Sequence, residues 1–441
     1  MRFSAQQAAE ALGAALVGPD VDLCGVGFDS RVIRADQLFV PLIAERNGHD
    51  FIAAAVSTGV TAYLTAEPDR PMQTGTAIVV DDTLEALLRL GRWARDRWGA
   101  EQPGATVIGV TGSVGKTSTK DLAACALSSA RTWVNERSFN NDQGRPTTIL
   151  NAPDDTQVMV LEMGMRGFGE IARLAAIGRP NIGVVTRVAE AHSERVGGID
   201  GVARAKAELV EALPSSGWAI LNGDDHRVRQ MANRTNAGVL TYGETDGCDL
   251  RIDDIVLDEL ARASFTVRSS WGRHRISLGV SGAHMVGNAT AAFCCAGVLG
   301  LDLDRAAADL ASARLSAMRM DIRRLPSGAV ILDDTYNANP TSMRAALDAL
   351  VAIPAVRRVA VLGVMAEISD PVAEHLAVAD YAGERGITIL AFGTEAYGVP
   401  SSDDPVATLG DLVDGDAVLV KASRAAGLEQ ISLALIRDGS T

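Results

Sequence analysis

The sequence predicts an α/β chain of three domains, and three observations lead there. Short, continuously apolar strands alternate with helical stretches, the pattern of a parallel sheet covered on both faces. One of these strands runs into a glycine-rich turn that opens a helix. Between residues 249 and 280 the pattern changes to alternating apolar and polar positions, which indicates antiparallel hairpins. At 441 residues the chain is also too long for one ordinary core.

Taken in order, residues 1–100 form a small α/β domain. The opening MRFSAQQAAEALGAALVG reads as a short amphipathic helix, because Gln6, Gln7 and Glu10 interrupt its apolar run. Strands are expected at DQLFVPLI and AIVV, and helices at DFIAAAVSTG and TLEALLRLGRWARDRW. EQPGA (101–105) is the expected linker. The central domain, 101–314, carries the buried strands TVIGV (106–110), VMVLEM (158–163) and IGVVT (182–186). IDDIVL, ASFTVRSS and RHRISLGV are its added antiparallel strands. The α/β rhythm restarts in 315–441 with AVILDDTY, RRVAVLG, ITILAFG and AVLVKAS, which predicts a C-terminal Rossmann-like α/β domain.

Composition excludes several functions. A net charge of −14 argues against general nucleic-acid or anionic-membrane binding, so any phosphate must be held by a local site. Five cysteines without a CxxC pair fit a reducing compartment, not a disulfide frame or a zinc site. With neither a targeting segment nor a long apolar stretch, the cytoplasm is the expected location. Of 41 basic residues only Lys116, Lys120, Lys206 and Lys421 are lysine. Lys120 is expected to be an ordinary exposed residue.

TGSVGKTST, residues 111–119, has the strand-turn-helix context of a phosphate loop. Gly112 and Gly115 let backbone N–H groups approach phosphates, and the helix N-terminus favours negative charge. Lys116 would reach the terminal phosphates and the Thr117 hydroxyl would meet Mg²⁺. Position 110 is Val, so the motif is the shorter TGxxGKT form. Glu162 ends its strand where open parallel sheets place ligands. His192 follows the next strand. Beside a phosphate loop both are candidate metal ligands, and an imidazole ligand points to a second, looser metal position.

These pieces, in this order, resemble the Mur ligases, ATP-dependent amide-forming enzymes of peptidoglycan precursor synthesis. The resemblance runs nearly end to end. It is carried by FDSRVIRADQLFVPLIAERNGHDF (28–51), FNNDQGRPTTIL (139–150), LEMGMRGFGEIARLA (161–175), GVARAKAELVEAL (201–213), LDDTYNANPTSMRAAL (332–347) and VLVKASRAAGLE (418–429). The YNANP segment is the most specific of them.

The resemblance implies ATP-driven joining of D-alanyl-D-alanine to a UDP-MurNAc-tripeptide through an acyl phosphate, with two Mg²⁺ sites, small-molecule partners only, and a monomeric enzyme. It implies that Lys116, Lys206, His192 and Arg319 are catalytic. Nucleotide contacts would come from Gly112, Ser113, Gly115, Lys116, Thr117, Ser118, Asn141, Asn288, Arg319, Asp334 and Asn339. Metal ligands would be Thr117, Glu162, His192 and Lys206, the last as a carbamate. Among substrate-binding residues, Ser30 and Arg31 would meet the UDP-sugar end, Tyr336 and Asn337 would lie at the cleft beside the nucleotide, and Lys421 and Arg424 would bind carboxylates of the peptide or dipeptide. Arg187, Glu190, Met285, Val364 and Ala422 depart from the family's usual residues. Competing readings are another Mur-type or folylpolyglutamate-like ligase, a phosphate-loop NTPase acting as switch or motor, and a non-catalytic precursor-binding paralogue.

Overall fold

The computed structural model describes residues 1–70, 73–135, 140–190 and 193–438. The chain forms two compact units. One comprises Met1–Gly109, Ala130–Gly164 and Glu170–Ile182; the other comprises Val110–Ser129, Met165–Gly169 and Gly183–Thr441.

In the first unit, a five-stranded sheet runs in the order Ala15–Val17, Thr76–Val79, Ala62–Thr65, Leu38–Phe39, Val26–Gly27. Its first strand is antiparallel and the rest are parallel. The opening segment departs from the single helix expected there. Arg2–Ser4 is a strand paired with Asp22–Cys24, and the helix is confined to Ala5–Leu12. Ser4 and Gln7 form a capping box at its start, and Gly13, left-handed at φ 61°, ends it, as such caps do. The expected strand DQLFVPLI contributes only Leu38–Phe39 to the sheet; Pro41 has no N–H to offer a ladder.

The long helix Thr83–Glu101 is capped by Asp82 and buries Leu87, Leu90, Ala94 and Trp98 along one stripe, the 3.6-residue period of a core-facing helix. Gly91 sits on this face against Pro146, where a Cβ would lie 2.4 Å from the proline ring. Trp98 donates its indole N–H to the Thr156 carbonyl at 2.8 Å. Burying a side chain of this kind stabilises by roughly 1.5–3 kcal/mol.

In the second unit, Trp218–Asn222, Gly238–Gly243 and Leu250–Leu257 pair in parallel, and Arg262–Ser269 and Gly272–Ser281 continue antiparallel. The expected change of pattern near 249 is therefore real, and Leu250–Leu257 is the strand that serves both arrangements. A separate five-stranded sheet runs Asp321–Arg324, Val330–Asp333, Asp416–Lys421, Arg357–Leu362, Thr388–Ala391, with only the first strand antiparallel. Asp416–Lys421 is buried throughout. The carboxyl ends of its strands deliver Asp334, Gly363 and Lys421 to one edge, where open α/β sheets hold ligands.

Candidate active site

The phosphate loop shows why its two glycines are glycine. Gly112 (φ 155°) and Gly115 (φ 84°) take backbone conformations that side chains disfavour. A Cβ on Gly112 would strike Thr186 Oγ1 at 1.9 Å, and one on Gly115 would lie 2.5 Å from Asn288 Oδ1. Thr186 donates its hydroxyl to the Val114 carbonyl at 2.6 Å, and the Ser113 N–H donates to the Arg187 carbonyl at 2.7 Å. Ser113 Oγ also bonds the Ala189 backbone in both directions. The loop is thus braced from the 186–189 segment.

The helix Lys116–Ala126 follows with no side-chain cap, and its first turn is suited to an anion. Lys116 Nζ donates to the Gly112 carbonyl at 2.8 Å, folded over the loop it would serve. Thr117 and Ser118 are buried. Asn288, expected at the nucleotide, packs its amide on Gly115.

Lys206 lies on the helix Ile199–Glu211 and is 4% exposed. Burial, and secondarily the Lys116 charge, hold its pKa well below the ordinary lysine value. Both causes penalise the ammonium form. Lys120 corrects the sequence reading: it is 1% exposed, with Nζ 2.9 Å from Asp121 Oδ1.

Within the first unit, Glu162 ends the strand Val158–Glu162 at 1% exposure. Its Oε1 accepts from Asn140 Nδ2 at 2.8 Å. Asn141, the residue singled out from sequence, accepts from the Gly144 N–H at 2.9 Å, just ahead of the helix Gly144–Leu150. Arg145 is fully buried and donates to the Glu162 carbonyl, while its Nε and Nη1 have no hydrogen-bond partner among the described residues. Burial pushes its pKa down to about 9, opposed by the Glu162 charge, so it remains a cation at neutral pH. Asn140 and Arg145, both in contact with Glu162, are not among the residues expected from sequence, and Asn140 stands next to Asn141 in the same Asn-Asn pair. His192 lies outside the described residues. Among the described residues, no three His, Cys, Asp or Glu side chains converge on a metal position.

Ser30 and Arg31 follow the edge strand Val26–Gly27. Arg31 is exposed and paired with Asp29 at 2.7 Å, which raises its pKa.

At the C-terminal sheet edge, Lys421 is 1% exposed and donates to Asp334 Oδ2 at 2.5 Å and to the Asn337 carbonyl at 2.8 Å. Asp334 Oδ1 accepts from the Met320 N–H at 3.2 Å. Arg319 Cζ stands 4.1 Å from the centre of the Tyr336 ring. Asn339 caps the helix Pro340–Ala352 in a box with Ser342. Arg424 pairs with Glu429 at 2.9 Å. The structure therefore brings Arg319, Asp334, Tyr336, Asn337 and Lys421 together, and gives Asn339 a helix-capping task.

The Mur ligase middle domain matches residues 110–296, and the Mur ligase, glutamate ligase domain matches residues 318–434. A UDP-N-acetylmuramoyl-tripeptide–D-alanyl-D-alanine ligase of Mycobacterium tuberculosis is 38% identical, over 94% of this chain and 92% of that protein. The chain belongs to the Mur ligase family. Among solved structures, MurF from Acinetobacter baumannii superposes with a TM-score of 0.85 at 28% identity, covering 99% of both chains. MurF ligase from Thermotoga maritima in complex with ADP gives 0.82 at 26% identity, over 94% of this chain and 97% of that one.

Several positions where this Mur ligase departs from the family's usual residues have a physical account. Arg187 is exposed and serves the loop through its carbonyl, a contact indifferent to the side chain. Val364 likewise accepts from the Ser423 N–H through its carbonyl. Met285 places Sδ 3.6 Å from Asn288 Nδ2, a soft acceptor for that amide. Ala422 is fully buried against Gly363, where a second Cβ would fall 2.8 Å from its own.

Proposed function

We propose that this chain joins D-alanyl-D-alanine to UDP-MurNAc-tripeptide, cleaving ATP to ADP and phosphate, in the building of peptidoglycan precursor. The observation that carries the reading is the pairing of a phosphate loop with Lys206, a buried lysine biased toward its neutral amine beside Lys116. The similarity to D-alanyl-D-alanine-adding ligases along nearly the whole chain supports the same choice over folylpolyglutamate-type ligases and over a non-catalytic paralogue.

In this reading the tripeptide carboxylate attacks the γ-phosphate, and the dipeptide amine then attacks the acyl carbon, expelling phosphate and losing a proton. The chain's task is to bring two anions together. Lys116, the first-turn N–H groups and Arg319 neutralise phosphate charge. Asn288 and Asp334 face the nucleoside, Ser30 and Arg31 the UDP-linked end, and Tyr336, Asn337 and Arg424 the peptides. Lys421 acts from behind, holding Asp334 and Asn337.

Buried Thr117 and Glu162 are hard oxygen donors that fit Mg²⁺, and with His192 and Lys206 they would hold the two ions. The metal would supply electrostatic stabilisation of the transferring phosphoryl group. For Lys206, the neutral amine adds to CO₂ and releases a proton. The resulting carbamate turns its repulsion with Lys116 into attraction, and arginine cannot make it. The reading includes three domains (1–100, 101–314, 315–441) and a cytoplasmic monomer. Among the described residues, no helix is long and apolar enough to cross a membrane.

The test is to supply Mg-ATP, UDP-MurNAc-tripeptide and a panel of amines, and to identify products by mass. Product with D-alanyl-D-alanine is expected. Product only with L-alanine or D-glutamate would overturn the assignment, and substrate-independent ATP turnover would favour the NTPase. Lys206→Ala and Lys206→Arg should both be inactive, with short carboxylic acids partly restoring the alanine variant. A ¹³C-bicarbonate carbamate signal should be present in the native protein and missing from both variants.

A further inference from the structure

Arg319 is carried on a segment with an unusual backbone. Met318 (φ 63°) and Met320 (φ 49°), on either side of it, both occupy the left-handed region, which unbranched apolar side chains rarely adopt. Such a conformation persists only where its surroundings enforce it. Before the segment, the Ser316 N–H donates to Asp121 Oδ2 at 2.7 Å. Asp121 Oδ1 lies 2.9 Å from Nζ of Lys120, which is 1% exposed. After it, the Met320 N–H donates to Asp334 Oδ1 at 3.2 Å, and Asp334 Oδ2 takes Nζ of buried Lys421 at 2.5 Å. In between, the Tyr336 N–H donates to the Met318 carbonyl at 3.1 Å while the Tyr336 ring lies under the Arg319 guanidinium.

The two ends share one design: a carboxylate with one oxygen on a segment N–H and the other on a buried lysine. The upstream anchor stands on the helix that begins at Lys116, the helix of the phosphate loop. We propose that Asp121, fixed by Lys120, is a positioning residue that ties residues 316–320 to the phosphate-loop helix and thereby sets where Arg319 meets the terminal phosphate. The inference rests on Arg319 acting at the γ-phosphate. It adds that the register of this arginine is set from the phosphate-loop side as well as by Asp334 and Lys421.

The experiment compares Asp121→Ala, Asp121→Asn, Lys120→Met and Arg319→Ala with the full-length wild type. It measures kcat and KM for ATP in the ligation assay, and calorimetric Kd values for ADP and for a non-hydrolysable ATP analogue. Asp121→Ala should lower kcat by about ten- to a hundredfold, the scale of a misplaced group. Its preference for the analogue over ADP should shrink to that of Arg319→Ala, with the Kd for ADP within about twofold of wild type. Asp121→Asn keeps an acceptor for the Ser316 N–H and should recover most of kcat, and Lys120→Met should fall between. Unchanged kcat and unchanged nucleotide preference in Asp121→Ala would overturn the proposal. So would parallel loss of ADP affinity and melting temperature without recovery in the asparagine variant. If Asp121→Ala does not fold, wild-type behaviour of both Asp121→Asn and Lys120→Met overturns it. Wild-type behaviour of Arg319→Ala would remove the γ-phosphate reading itself; impairment there with normal Asp121 variants removes only the positioning role.

Discussion

An ammonium at Lys206 is buried, with the Lys116 charge close enough to matter. Its folded pKa lies well below the ordinary 10.5 of a lysine, so the unfolded chain binds the proton more tightly. Below the folded pKa, folding retains the full desolvation cost. As pH rises through that pKa toward the ordinary value, the folded amine is already neutral and the cost is relieved. Lys206→Met should therefore be more stable than wild type at low pH. That advantage should shrink as pH rises through the lowered folded pKa toward the ordinary lysine value of 10.5 in CO₂-free urea titrations. A pH-independent difference would contradict the account. The other lysines share a confined setting: Lys120 and Lys421 are each buried against an aspartate.

Among the elements, glycines decide which loops can form. Gly115→Ala would place a methyl where Asn288 Oδ1 stands and would keep φ at 84°. A destabilisation of about 1–3 kcal/mol is expected, together with loss of nucleotide affinity in calorimetry. At the C-terminal edge, Gly363→Ala meets Ala422 Cβ at 2.8 Å and Leu428 Cδ1 at 2.9 Å. It should cost about 1–3 kcal/mol, and adding Ala422→Gly should recover part of that. Additive losses in denaturant titrations would show that the two positions do not share one space. The alternation near 249–280 and the apolar strands were legible because their periods are local. The opening helix was over-extended because Ser4 and Gly13 cap it at both ends, a detail that an apolar count passes over.

For the whole molecule, binding of nucleotide to the folded chain alone should raise its stability by mass action. At a free ligand concentration of about 100 Kd the gain is about 2.7 kcal/mol, which for this length is about 3 °C in Tm. Scanning calorimetry with an ATP analogue should show it for wild type and not for Lys116→Met. An equal shift in both would argue against the phosphate loop as the nucleotide site. With a net charge of −14, the protein as a whole repels these anionic substrates, so affinity must come from the local cations and helix terminus.

By itself the sequence determined the α/β class, the phosphate loop and the family resemblance, because glycine spacing, strand period and the YNANP segment act over a few residues. Only the tertiary structure decided that Lys206 lies within the influence of Lys116 and that Asn140, not Asn141, bonds Glu162. It also decided that Asp121 reaches Ser316 across 195 positions of chain. Those facts depend on which distant segments pack together and on how deeply each polar group is buried. Burial and long-range proximity shift a pKa or fix a side chain without leaving a mark in the neighbouring residues.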